Sequence, residues 1–271
     1  MEHTGSLCLE AVQKDGQTII SDCWFEGAFK VTRPVYLESS HPTIYCIHVG
    51  GGYVNGDSYE TSISLKEDAR LTVTTQASTK VYRTPDKPVR QYTSILLKQG
   101  SILEFLPDPL IAYEKSRFVQ ETTVHMERGA TFLYSDIITP GWSKTGEHFQ
   151  YDWVRSKLKI YEDEKLQVYD HLFLQPKGHD MSSFMQMEGY THFGAWLLVS
   201  PFVTEQWIKE LSNILEICSS EARIGWSALK TNGIVVRVLA YHTQAIERIF
   251  QACTDLVRRQ WQQVPLDLRK Y

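Results

Sequence analysis

The clearest pattern in the chain is alternation. Tyr59, Thr61, Ile63 and Leu65 fall on one side of a run whose other side is Ser58, Glu60, Ser62 and Ser64. A period of two predicts a strand with one buried face. Leu71, Val73 and Thr75 alternate with Arg70, Thr72 and Thr74 in the same way. Further strand candidates are Leu7–Val12, Thr18–Phe25, Thr43–Val49, Tyr92–Leu97, Ile102–Leu106, Phe118–Met126, Thr131–Ile138, Tyr151–Ile160 and Leu166–Leu174, with a shorter one at Tyr36–Leu37 after Pro34. Gly, Pro, Asp and Lys punctuate them. Many short strands with few helical patterns predict a mostly β body.

Four of the turns resemble one another: Leu65–Leu71, Leu97–Leu103, Met126–Phe132 and, more distantly, Ile160–Leu166. Each joins an apolar strand end to a new apolar strand through a polar turn with Gly or Asp. Their starts lie 32, 29 and 34 residues apart. A recurrence of this length predicts stacked units that bury their apolar faces against neighbours, hence two stacked layers of sheet in a coiled, helical-like arrangement.

Beyond about residue 200 the period changes. Thr204 is a good N-cap, and Trp207, Ile208, Leu211, Ile214, Leu215 and Cys218 recur at helical spacing. The apolar run 234–241 predicts a strand. From Thr243 a second helical stripe runs through Ile246, Ile249, Phe250, Cys253, Leu256, Val257 and Trp261. The expected division is a β-rich stacked-sheet body over residues 1–200 and a helix–strand–helix part with two C-terminal α-helices over 201–271, packed on the sheets. The tail Pro265–Tyr271 is left open between a mobile end and a partner-binding segment.

Composition narrows the function classes. An apolar content of 42% and a charged content of 22% fit a soluble globular protein. A formal charge of −4, with no basic cluster, gives no nucleic-acid surface. No apolar run is long enough to span a membrane, and the first dozen residues lack a secretion-signal pattern, so a cytoplasmic location is expected. The five cysteines are scattered, with no CxxC pair, and are read as reduced thiols.

The glycines at 50, 51, 52 and 56 invite a phosphate-loop reading, which fails because a strand follows in place of Lys-Ser/Thr and a helix. They are read as a loop or bulge feeding a sheet. No GxSxG, HExxH or SxxK motif is present. The carboxylates that interrupt strand patterns are Asp57, Glu104, Asp136 and Asp170. Asp136 shares a face with Phe132 and Tyr134, and Asp170 with Val168, Leu172 and Leu174. Inward acids of this kind need a cation, a hydrogen-bond network or a channel, and a loosely held divalent ion such as Ni²⁺ suits oxygen and imidazole donors. The nine histidines stand apart. Lys80, Tyr82 and Arg83 form a polar patch, either ordinary cross-strand packing or an interface anchor.

These residues carry a family resemblance. Gly51–Gly52 with Gly56-Asp57, the segment Thr74-Thr75-Gln76-Ala77, the segment Thr79-Lys80-Val81-Tyr82-Arg83, then 103–107 (LEFLP) with Asp108 and Ile111, and Gly146-Glu147, resemble the urease accessory protein UreD (UreH) family in order and spacing. The resemblance implies a non-catalytic metallochaperone scaffold for nickel insertion into apo-urease. It implies partners: a UreF-like accessory protein, a UreG-like GTPase and the urease apoprotein, with a dimer of UreD–UreF heterodimers expected, and no nucleic acid or membrane. It also implies no permanently bound cofactor, with Ni²⁺ only in transit along an internal passage. Asp57 matches the family's Gly-Asp acid, Asp136 and Asp170 fall where passage acids are expected, and the three are the candidate transient nickel contacts, Asp57 foremost; Gln76, Lys80, Tyr82, Arg83 and Glu104 are passage or interface candidates. The segment 136–142 (DIITPGW) lacks the family's arginine after the glycine. The rival reading is a β-sandwich hydrolase or sugar-binding module using Asp57, Glu104 and Asp136, which requires acids within roughly 5–10 Å of one another.

Overall fold

A computed structural model describes residues 3–268. The strands are β1 (Gly5–Lys14), β2 (Gln17–Gly27), β3 (Phe29–Val31), β4 (Val35–Glu38), β5 (His41–His48), β6 (Ser58–Leu65), β7 (Arg70–Thr75), β8 (Thr79–Val81) and β9 (Val89–Leu97). There follow β10 (Ile102–Leu106), β11 (Leu110–Ala112), β12 (Arg117–Met126), β13 (Thr131–Ile138), β14 (Trp153–Glu162), β15 (Lys165–Leu174) and β16 (His192–Val199). Helix α1 (Glu205–Cys218), β17 (Ala222–Ala228), β18 (Gly233–Ala240) and helix α2 (Thr243–Gln260) complete the described chain. No helix among the described residues is long and apolar enough to cross a membrane.

Two sheets stack face to face. One has the order β15-β14-β12-β9-β6-β1-β2; the other runs β17-β18-β16-β13-β10-β7-β5-β3, with the short β4, β8 and β11 attached. The turns picked out in the sequence carry the chain from the first sheet to the second. Leu65, Leu97 and Met126 end neighbouring parallel strands of the first sheet, and Leu71, Leu103 and Phe132 sit side by side in the second. The coil forms because the three turns are built alike. Each closes with a hydrogen bond from its fourth N–H to its first carbonyl: Ala69 to Lys66, Ser101 to Lys98, Ala130 to Glu127. Each has a left-handed third residue, Asp68, Gly100 or Gly129. The turns also stack, since Lys98 N–H donates to Leu65 O and Glu127 N–H to Leu97 O.

The fourth repeat behaves differently. Asp163 and Glu164 both have positive φ, at 47° and 61°. That is a two-residue hairpin geometry, and it folds β15 back antiparallel on β14 within the first sheet. The coil therefore ends there.

The inward face of the first sheet is stacked in rows. Ile63, Ile95, Val124 and Ile160 form an apolar row. One step along, Thr61, Thr93 and Thr122 form a hydroxyl row, and one further, Tyr59, Gln91, Gln120 and Ser156 line up. The main core fills the apolar end of this space, with Leu65, Leu97, Leu103 and Phe132 at its centre.

A second core lies on the outer face of the other sheet. Leu133, Ile137, Trp196, Leu198, Ile234 and Val236 meet Trp207, Leu211, Ile246, Ile249 and Phe250 of the helices. Thr204 caps α1 as expected, accepting from Trp207 N–H at 3.3 Å. The C-terminal part holds two strands where one was expected, and β16 was also unforeseen. β16 is buried on both faces, so its apolar run does not alternate. β17 is an edge strand with most side chains exposed, so it lacks a buried face to read. The tail crosses the surface with Leu266 buried and the Arg258 Nε–H donating to Val264 O. The last three residues of the expected tail, 269–271, and residues 1–2 of the N-terminal stretch lie outside the described residues.

Of the two glycines in the coil's turns, Gly100 is the one crowded by its neighbouring turn. A Cβ there would meet Asp68 Oδ1 of the turn below at 2.0 Å, at a φ of +72°. Gly129 has a similar φ, but its nearest neighbour is Gln99 Cγ at 3.8 Å. Gly129→Ala is expected to cost about 1 kcal/mol in urea unfolding, for backbone strain alone, and Gly100→Ala about 1–2 kcal/mol, because the exposed Asp68 carboxylate must also swing aside. Equal shifts of the two midpoints would show that turn stacking does not matter.

Candidate functional site

Three cavities lie in a row between the sheets, each sharing walls with the next. The first, about 160 Å³, opens beneath the glycine loop, with His48, Gly51, Gly52, Gln76 and Lys80 on its wall. It shares Phe29, Cys46, Tyr53, Thr75 and Thr79 with the second, of about 60 Å³. The second runs over the hydroxyl and amide rows, past Thr61, Thr93, Thr122, Gln91 and Gln120, to Asp136. Tyr134 and Asp136 are shared with the third, about 20 Å³, which ends at Ser156 and Asp170.

Asp136 is the buried acid of this row, 8% exposed. Its Oδ2 accepts from Gln120 Nε2 at 2.5 Å and from the Ser156 hydroxyl at 3.4 Å. Burial pushes its carboxyl up to about 6, against the pull of the Gln120, Ser156 and Tyr134 hydrogen bonds, with Asp170 adding a smaller upward push. At neutral pH the group is mostly ionised but holds its charge at a cost, so a cation can relieve it. Asp170 comes from β15, across from β18, and accepts from Arg237 Nη2 at 2.5 Å. The expected pair Asp136 and Asp170 thus meets in one cavity, from different sheets.

At the opposite end the glycine loop packs on the strand it faces. A Cβ on Gly52 would lie 2.7 Å from Tyr82 Cε2 and 2.8 Å from Lys80 O, which is the close backbone approach that glycine permits. The loop is pinned by Tyr53 N–H to Lys80 O at 2.7 Å and by the Tyr82 hydroxyl to Gly51 O at 3.1 Å. Tyr82 also packs edge-on against Tyr113. Gln76 and Lys80 line the cavity, while Arg83 is exposed beyond the end of β8.

Asp57 lies outside the three cavities. Its Oδ2 accepts from Val54 N–H at 2.7 Å and from the Tyr59 hydroxyl at 2.9 Å, and its Oδ1 accepts from the Thr4 hydroxyl at 3.1 Å. It closes the glycine loop and ties it to β6. Among the described residues no three His, Cys, Asp or Glu side chains gather into one group that could hold a metal.

A family model described as UreD urease accessory protein matches residues 3–270. The chain belongs to the UreD urease accessory protein family. It is 50% identical over 260 residues to the urease accessory protein UreD of Bacillus sp. (strain TB-90), covering 96% of each chain. Identity to the UreD of Lachnoclostridium phytofermentans is 41% over 271 residues, 99% of each. To that of Staphylococcus aureus (strain bovine RF122 / ET3-1) it is 37% over 272 residues, 99% of this chain and 98% of that one.

Glu104 sits apart from the other candidate acids. It pairs in register with Leu133, so it faces the helices, whereas Asp136 faces the other sheet. Glu104 is 2% exposed; its Oε2 accepts from Arg258 Nη1 at 2.7 Å and from the Thr72 hydroxyl at 2.9 Å. Arg258, 1% exposed, also pairs with Glu38 of β4. This buried cluster fastens α2 to two strands. Asp57, Glu104 and Asp136 therefore occupy three separate environments and form no acid pair, so the hydrolase or sugar-module reading is not favoured.

The residues missed from the sequence are Gln91, Gln120, Ser156 and the threonine row. A signal existed: Thr61, Thr93 and Thr122 recur at the same 32 and 29 spacing as the turns.

The Asp136 carboxyl gives a signed pH prediction. Between its ordinary value of 3.8 and about 6, the folded chain keeps a proton that the unfolded chain has released. Stability therefore falls as pH rises through that window and stays lower above it. Asp136→Asn is expected to raise the urea stability at pH 7.5 by about 1–3 kcal/mol, a gain that fades below pH ~4. A destabilised variant at pH 7.5 would contradict this. For the helix-side cluster, Arg258→Met strands two acids and is expected to cost about 3–5 kcal/mol, with partial recovery when Glu104→Leu is added. Purely additive effects in that double-mutant cycle would deny the coupling.

Proposed function

We propose that this chain is a non-catalytic nickel-transit scaffold, which carries Ni²⁺ between its two sheets toward apo-urease. The observation that carries this reading is the row of cavities with shared walls, floored by hydroxyls and amides and ending at Asp136 and Asp170 from opposite sheets. An ion in transit must be bound well enough to enter and weakly enough to leave. Neutral oxygens with two spaced carboxylates meet that demand, because each can replace part of the ion's water shell and none closes a full coordination cage. Membership of the UreD urease accessory protein family supports this reading. The partners in this proposal are those that the sequence resemblance implies: a UreF-like protein and a UreG-like GTPase, in a cytoplasmic complex built as a dimer of heterodimers and docked on the urease apoprotein. Asp57, Gln76, Lys80, Tyr82 and Arg83 shape the glycine-loop end of the route.

The test is co-expression with apo-urease, the UreF-like and the UreG-like proteins, followed by urease activity and nickel content at limiting nickel. Asp136→Ala with Asp170→Ala is expected to lower both several-fold while the complex still co-purifies. Full activation by the double variant would sink the passage reading.

A further inference from the structure

The glycine-loop end holds donors that the nickel route has not yet used. Cys46 and His48 lie two residues apart on β5, so they share a face, and both line the 160 Å³ cavity. The His48 ring is fixed by edge contacts with Tyr53 and Tyr59, at 4.8 and 5.3 Å between centroids.

Hydrogen-bond direction then determines the tautomer. The Tyr59 hydroxyl donates its one hydrogen to Asp57 Oδ2 at 2.9 Å. The 2.9 Å contact between His48 Nε2 and the Tyr59 oxygen must therefore be donated by the ring. Asp57 cannot reverse this chain, since its oxygens already accept from Val54 N–H and the Thr4 hydroxyl. No acceptor faces Nδ1, so a proton there would be buried unpaired; with the ring hydrogen on Nε2, Nδ1 carries a bare lone pair. That nitrogen is closed to solvent and has no hydrogen-bond partner. A buried acceptor left without a donor is costly, and such atoms commonly mark a site for something absent from the fold itself.

We propose that His48 Nδ1 is a ligand for a divalent transition-metal ion at this end of the passage, with the Cys46 sulfur as second donor. Tyr59 and Asp57 are the positioning residues: they hold the other ring nitrogen protonated, as a carboxylate does behind many metal-bound histidines. Imidazole nitrogen and thiolate sulfur favour Ni²⁺, Co²⁺ or Zn²⁺ over Mg²⁺ and Ca²⁺. Coordination by Cys46 releases its thiol proton to water, and no other bond changes. The assignment of Ni²⁺ as the physiological ion rests on the transit reading above. It also gives Asp57 a part in metal handling without contact with the ion.

The experiment titrates the full chain, free of any polyhistidine tag, with Co²⁺ and Ni²⁺. The wild type is expected to show a near-ultraviolet thiolate-to-cobalt band that Mg²⁺ does not suppress. His48→Gln keeps a donor toward Tyr59 but deletes the bare nitrogen, and is expected to weaken Co²⁺ and Ni²⁺ binding at this site about 10–100-fold. Tyr59→Phe moves in the same direction by less, and Cys46→Ser removes the band. In the unmutated chain, sub-stoichiometric Ni²⁺ is expected to broaden the His48 ring resonances, which needs no variant to fold. Unbroadened His48 resonances, or wild-type affinity and band in His48→Gln, overturn the assignment. If that occurs while Asp136→Ala with Asp170→Ala still lowers urease activation, the transit reading stands and only this site falls. A wild-type chain that takes up neither ion overturns both.

Discussion

The structure depends on a register shared by two sheets. Four-residue turns join β6 to β7, β9 to β10 and β12 to β13, each from one sheet to the other, so an offset in one sheet is an offset in both. Ser58 pairs with Arg90 in the first sheet and Arg70 with Ile102 in the second, the same step of 32. Val89 pairs with Phe118 and Ile102 with Thr131, the same step of 29. Side chains of one kind thus stack across coils, apolar on apolar at the turn end and hydroxyl on hydroxyl beyond it. A slip of one residue would reverse every face and expose the core.

The division of the second sheet into two faces follows from the same period of two. Tyr134 and Asp136 look into the space between the sheets, while Leu133, Ser135 and Ile137 look toward the helices. β13 is buried along its whole length because both faces are covered. An acid on each face has a different fate. Glu104 is neutralised by Arg258 on the helix side and acts in packing. Asp136 has neutral hydrogen-bond donors against it, Gln120, Ser156 and Tyr134, and keeps an uncompensated charge between the sheets. The difference between a structural ion pair and a candidate cation contact is which neighbour the fold supplies.

The two ends of the cavity row are built by different means. One end is closed by sheet-to-sheet pairing of Asp170 with Arg237. The other is shaped by backbone: Gly52 lets the loop lie against Lys80 and Tyr82, and Asp57 ties the loop to β6 through Tyr59. Alternation from Tyr59 onward sets Tyr59 inward, and that orientation lets it link an outer carboxylate to an inner imidazole.

Much of this was legible in one dimension. The strands β6, β7, β10, β12 and β13 announce themselves by alternation or apolar runs, and the repeated turns by their spacing, because each is a local consequence of a half-buried pleat or a left-handed turn residue. The two helices carry their period and Thr204 its cap for the same reason. The family too was readable from Thr74–Arg83 and Leu103–Asp108. Tertiary structure alone decided which polar groups meet. It paired Asp136 with Asp170 from different sheets, sent Glu104 to Arg258 154 positions away, and made Asp57 a loop tie. It also revealed β16, whose two buried faces erase the alternation that would have marked it. Period two says that a side chain is inward, but what it meets there depends on long-range stacking, which local sequence does not encode.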